Sequence, residues 1–414
     1  MFIPGLPTNT RLDPVRHALF TKNDLAIRKI FSQLTRQLDS SSSLYQNIIQ
    51  CFSFYEAFDS QTQQDLASHP LFRNWWLQLK RLLRQGETEP VKRWLAKATP
   101  FFIIPAIEQG KWLEGTLHVP VTAEGEIRFP GHPRHIELGK DHRGVLVAFE
   151  RKADVIEIRC YDNITTVNIS DLCEAPSPDT SSSVRQRPVL AGTRIEIDAS
   201  HPWLQHFLDT INAEDAIDPY PKRDLQPVIP IPDELVKLHK EAIELVGSAW
   251  PEMLAEIKDN IRLIVPFHTE RLLGFSHIHF SGAIFLSYKP GELLHTAERM
   301  VHEASHVRLN SIQMVDKLHH HAPDELFKSP FRADPRPVNG IYHGSFVFGR
   351  LSIFMLRAFA YTGDIICRQR AQRMTSQFEE SLDILFNQVK LTRIGRQILE
   401  DIVNELNHLN VIAL

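Results

Sequence analysis

The tightest constraint on this chain is the spacing of His302, Glu303 and His306. Two histidines four apart share one face of an α-helix, about one turn apart. The flanking residues predict that helix over about 290–317. Leu293, Ala297, Met300, Ala304 and Val307 form an apolar stripe with Leu294 and Val301 beside it, and His302 and His306 fall on a neighbouring face. Pro290 is tolerated in a first turn, and Glu292 suits the positive end of the helix dipole. Two imidazoles so placed can reach one divalent cation. In a chain with 20 histidines the bare HExxH pattern can arise by chance. Its position in mid-helix, directly after a strand, favours a metal site.

A third ligand has to come from elsewhere. VRLNSI follows His306, so the extended zinc pattern, with a glycine and a third histidine soon after, is absent. Glu325 is the nearest downstream glutamate but sits in a proline-flanked loop. His343 is better placed, in SPFRADPRPVNGIYHGSFVFGRL, where proline-stiffened backbone runs into an apolar helix. Other histidines read more plainly. His277 and His279 share one face of the strand before the motif, His295 is exposed, and His319, His320 and His321 form a solvated helix terminus.

The fold class expected is α+β and predominantly helical. Residues 1–115 carry apolar residues at helical spacing, as in LYQNIIQCFSFYEAF and FRNWWLQLKRLL. Residues 116–225 form a β-rich region, with GVLVAFE, VIEIRCYD and TRIEIDA alternating or β-branched. Residues 226–414 form a metallopeptidase-like HExxH domain. In it Asp233 caps a helix, IRLIVPF and SHIHFSGAIFLSY are strands, and long helices run from 340 to the C-terminus. A net charge of −4, with Lys and Arg spread through the chain, argues against a nucleic-acid partner. Four scattered cysteines exclude a CxxC-type metal site and suit a reducing compartment. No signal peptide is visible, and the longest apolar run, Phe101 to Ile107, is too short to span a bilayer, so a cytoplasmic protein without a membrane partner is expected.

The motif alone points to a zinc metallopeptidase, with Glu303 as general base toward a metal-bound water. The wider sequence points elsewhere. SGAIFLS, the helix TAERMVHEASHVRLNSI and the DPRP…HG segment resemble the HExxH-type, 2-oxoglutarate-dependent peptide β-hydroxylases found among the proteins of peptide natural-product gene clusters. Residues 276–350 carry most of the likeness, with weaker echoes in HPLFRNWW, DPYP and IRLIVPF. The resemblance implies a non-haem Fe(II) oxygenase that hydroxylates Cβ of a residue in a ribosomally made precursor peptide. It further implies His302, His306 and His343 as metal ligands, where the common facial triad has two histidines and a carboxylate.

Three neutral imidazoles would leave the centre one unit more positive, which favours an anionic co-substrate. An octahedral ion with three protein ligands keeps two positions for a 2-oxo acid and one for O2. The far carboxylate of 2-oxoglutarate needs a cation, and Arg336, between Pro335 and Pro337, is the first candidate, with Arg332 second. On this reading Glu303 is not a base; it orients a ligand or the peptide. Zinc or nickel could replace Fe(II) adventitiously, since both bind imidazole sites more tightly.

Overall fold

The computed structural model describes residues 5–7, 13–37, 42–86, 88–112, 114–174, 183–201, 203–204, 207–209, 225–269 and 272–412. The DPYP tetrapeptide lies outside the described residues. The chain forms two compact units. The first comprises Met1–Leu19, Leu190–Ile195 and Pro230–Leu414, and the second Phe20–Val189 and Glu196–Ile229. Contacts thus join the helical and β-rich stretches that the sequence pattern divides at residue 115. The expected α+β, mainly helical class is observed. No helix of the described residues is long and apolar enough to cross a membrane.

The second unit begins with α1 (Pro14–Gln37, entering it at Phe20), α2 (Ser43–Ala57), α3 (Ser60–Ser68), α4 (Pro70–Gln85), α5 (Thr88–Leu95) and α6 (Pro100–Glu108). Proline in the first turn of α4 and Gly86 in the left-handed region at its end set that helix's limits. Trp75 and Trp94 tie α4 to α5 reciprocally, each indole N–H donating to the other's carbonyl at 2.9 and 2.7 Å. The apolar run of α6 is buried on nearly every side, as befits a core helix. Phe101 packs edge-on to Phe72 and against Trp203, at ring separations of 5.2 and 4.7 Å.

Two small antiparallel sheets complete this unit. One orders β1 (Thr116–Pro120), β4 (Leu146–Lys152), β5 (Val155–Cys160) and β6 (Asn163–Asn168); the other orders β2 (Glu126–Arg128), β3 (Arg134–Glu137) and β7 (Val184–Gln186). A short helix, α7 (Ile169–Cys173), follows β6. Beside the second sheet, Arg128, Arg187, Glu196 and Asp198 are all buried. Arg128 grips Asp198 at 2.6 Å, Arg187 bridges Glu196 and Asp198, and His69 and His201 reach the same carboxylates. Burial alone would raise these carboxyls. Arg187 at Glu196, and His201, Arg187 and Arg128 at Asp198, outweigh it and hold both far below the usual range.

The first unit holds the motif. Helix α8 (Asp233–Ala249) is capped by Pro232, so Asp233 contributes its charge in the first turn and is not the cap residue. After α9 (Pro251–Asn260), β8 (Leu263–His268) pairs in parallel with β10 (Ala283–Ser287), and β9 (Gly274–Ser276) pairs antiparallel to β10. The expected single strand SHIHFSGAIFLSY is thus broken. Ile278–Phe280 forms a 3-10 turn, and Gly282, at φ 102°, turns the chain into β10.

The motif helix α10 (Leu293–Val315) follows, packed against α8 and α11 (Val338–Thr362). Pro290 lies in the turn ahead of it. A two-stranded ribbon, β11 (Leu326–Phe327) with β12 (Arg336–Pro337), leads into α11. Helices α12 (Ile365–Asn387) and α13 (Arg393–Ile412) pack on α11. Gly349 allows that close approach, since a Cβ there would stand 2.6 Å from Ile402 and 3.0 Å from Phe378. Inside the bundle the fully buried Arg350 pairs with Glu256 at 2.6 Å, and Glu256 also faces Arg308, which holds Asp13.

Candidate metal centre

The apolar stripe of α10, with Ala297, Met300, Val301, Ala304 and Val307 buried, fixes the helix's rotation. That rotation sets His302, His306 and Gln313 along one neighbouring face, spaced by four and seven residues. His302 and His306 have ring centroids 4.9 Å apart. Across from them, α11 presents Asn339 and His343, also four apart. The rings of His306 and His343 stack at 5.4 Å with their planes 24° apart, and their Nδ1 atoms are 3.2 Å apart. His343 Nε2 donates to Gln313 Oε1 at 2.9 Å, while Gln313 Nε2 donates to Asn339 Oδ1.

The loop before α11 fits this helix because of the glycine after His343. A Cβ at Gly344 would come 2.4 Å from the ring of Phe331, which packs at 4.8 Å on Phe348. The bare backbone at 344 therefore seats the SPFRADPRP segment on the turn that carries His343. In that segment Arg336 Nε lies 2.8 Å from Asp334 Oδ2, so the first candidate for a 2-oxo-acid anchor already has one carboxylate partner. Arg332 is exposed.

Electrostatically the three histidines are ready ligands. Burial lowers His302 and His343 to about 4. Burial, and then the charge that His302 and His343 would carry, puts His306 lower still. All three are neutral imidazoles at pH 7, the form that binds metal. About 33% of the His302 side chain is exposed.

Glu303 faces the other way, into the sheet, and is only 4% exposed. Ser276 of β9 hydrogen-bonds it, but burial outweighs that contact and pushes the carboxyl up to about 8. Its Oε1 lies 3.9 Å from His302 Nε2, and its Oε2 has no hydrogen-bond partner among the described residues. Gly274 makes room for it, since a Cβ there would stand 3.2 Å from Oε1.

A divalent cation fits the His306–His343 pair. Nitrogens about 2.1 Å from one ion at right or tetrahedral angles stand roughly 3.0–3.4 Å apart, and 3.2 Å falls within that span. The full trio is looser. Among the described residues, the group whose ligand atoms all lie within 4.8 Å of one another is Glu126, His135 and Glu137, on the β2–β3 hairpin. There Arg128 already holds Glu126 at 2.6 Å and Arg185 holds Glu137 at 3.2 Å, so a cation would have to displace guanidinium groups. Among the described residues the three histidines have no guanidinium partner, although all three do not come within 4.8 Å of one another.

Several expectations are corrected. Glu325 binds His321 Nδ1 at 2.6 Å and is no third ligand. His321 Nε2 accepts the Lys390 backbone N–H, so this histidine is a structural tie and not a solvated end. His277 and His279 flank and occupy the 3-10 turn, with the His277 ring accepting the His279 N–H. His295 is half-buried between Glu292 and Arg299. Sequence reasoning passed over Gln313 and Asn339. The available signal was spacing, for Gln313 continues the ligand face of α10 and Asn339 sits one turn before His343.

No protein-family model matches the chain, and no curated protein matches it.

Proposed function

We propose that this chain is a non-haem Fe(II)/2-oxoglutarate-dependent oxygenase that hydroxylates Cβ of a residue in a ribosomally made precursor peptide. The observation that carries the metal part is the 3.2 Å approach of two neutral imidazoles from different helices, with His302 one turn away on the same face. An all-imidazole set suits iron, zinc, nickel or copper and disfavours magnesium or calcium. When bound, Fe(II) would supply O2 activation coupled to oxidative decarboxylation of the 2-oxo acid to succinate and CO2. The protein's own part is to hold the ligands neutral, to keep Glu303 out of solvent, and to offer Arg336 on the strand that enters the His343 helix. The sequence resemblance supplies the peptide substrate class. Four free thiols accord with a cytoplasmic setting.

The zinc metallopeptidase remains the rival, and the 3.9 Å contact of Glu303 with His302 favours it. Against it, the Glu303 carboxyl is buried beside Ser276 of β9, and that burial pushes it up to about 8, which favours the protonated form over a general base at pH 7. Under argon, Fe(II) and 2-oxoglutarate together should give the visible charge-transfer band of a chelated 2-oxo acid, and His306→Ala should lose it. Admitting O2 with the cognate precursor peptide should yield succinate and a peptide heavier by one oxygen atom. Oxygen-independent cleavage of the peptide, stopped by a chelator and restored by zinc, would overturn the oxygenase reading.

A further inference from the structure

A neutral imidazole carries one proton, and which nitrogen bears it decides which one can bind a cation. For His343 two neighbouring amides point to one tautomer. Gln313 Nε2 donates to Asn339 Oδ1, which turns Gln313 Oε1 toward His343. An amide oxygen only accepts, so His343 Nε2 at 2.9 Å must be its donor. The lone pair then lies on Nδ1, the atom that faces His306 Nδ1 across 3.2 Å.

We infer that Gln313, itself held by Asn339, is a positioning residue that fixes the Nε2–H tautomer of His343 and so commits His343 Nδ1 to the cation. The inference rests on the reading of His302, His306 and His343 as a metal centre. The geometry is specific to packed helices: Gln313 lies seven residues beyond His306 on α10 and inserts between residues four apart on α11. An acceptor at this place also strengthens the ligand, because a hydrogen bond to the far N–H makes the opposite nitrogen a better donor to metal. Carboxylates commonly play this part; here a neutral amide does so, adding no charge to a centre built from neutral imidazoles.

The test is Co(II) binding by titration calorimetry to the full chain, with ¹⁵N NMR of the metal-free protein reporting the histidine tautomer. The expected result is one Co(II) per wild-type chain and an Nε2–H signature for His343, assigned by its loss in His343→Ala. Gln313→Leu should weaken Co(II) by roughly 10–100-fold and mix the tautomers, while Gln313→Glu, which keeps the acceptor, should stay within a few-fold of wild type. Asn339→Ala frees the Gln313 amide to rotate and should give an intermediate loss; it also serves if Gln313→Leu fails to fold. Wild-type affinity in a folded Gln313→Leu, or an Nδ1–H signature in the wild type, would overturn the inference while leaving the metal centre standing. No Co(II) binding by the wild type would overturn the metal centre itself.

Discussion

Each imidazole of the centre reaches its place through an ordinary helical offset, and its chemistry follows from what burial does to it. His306 lies between His302 and His343, in ring contact with both, so its removal takes the middle ligand from the trio. His306→Ala and His343→Ala should each weaken Co(II) or Fe(II) binding at least about 100-fold, more than the loss of a residue that only orients a ligand. Equilibrium dialysis with metal analysis would show it. Glu303→Gln separates the two chemistries most cleanly. The amide keeps the size of the buried carboxyl, so metal content should hold and 2-oxoglutarate consumption should persist; a peptidase would lose turnover entirely. Arg336→Ala should raise the 2-oxoglutarate KM roughly tenfold or more, as expected for loss of a hydrogen bond to a charged group, with metal affinity unchanged. A KM equal to that of wild type would remove Arg336 from the site.

At the scale of elements, Gly344 tests how the proline-rich segment is seated. Gly344→Leu drives a side chain into the space of Phe331, and overpacking of this kind costs about 1–3 kcal/mol. Thermal unfolding should shift down, and pairing the change with Phe331→Ala should recover part of the loss; additive losses would deny the contact. The same elements show what the sequence makes legible. The α10 and α11 helices, and the shared face of His302 and His306, follow from local periodicity and proline punctuation, whereas His343 is joined to them in the sequence by the family resemblance and meets His306 only where the two helices pack. The break of SHIHFSGAIFLSY does not, because alternating apolar residues mask the positive-φ turn at Gly282. The Gln313–Asn339–His343 relay is invisible for another reason. Amide side chains carry no signature, and the pairing depends on how two helices, 26 residues apart at this point, settle against each other.

For the whole molecule the informative feature is buried charge. Arg128, Arg187 and the Glu196–Asp198 pair come from three separate segments, so no local pattern announces their meeting. Removing one partner leaves the others uncompensated: Arg187→Met should cost about 3–5 kcal/mol, seen as a lower unfolding midpoint for this unit. The neighbouring histidines give the stability of the same unit a pH slope. Burial is the main cause that lowers His132 and His135 to about 4 and also lowers His201. The groups around them are Arg134, Glu126, Glu196, Asp198, Arg128 and Arg187. The folded form therefore binds fewer protons than the unfolded form, whose histidines titrate near 6.5. Stability is complete above about pH 6.5 and falls as pH drops toward 4. Melting curves from pH 7.5 to 4.5 should show this fall, and a His132→Gln, His135→Gln double variant should flatten it; a midpoint that rises on acidification would contradict the assignment.

The burial of α6 has a consequence for synthesis. Phe101 ends up against Trp203, which leaves the ribosome about a hundred residues later. At translation rates of roughly 5–20 residues per second, the side of PFFIIPAI that meets Trp203 waits several seconds for its cover, while Phe72 is already in place on another side. That side of the octapeptide is a place where chaperones should engage the nascent chain. Charged substitutions that ease its handling on the ribosome would destroy the core it later builds.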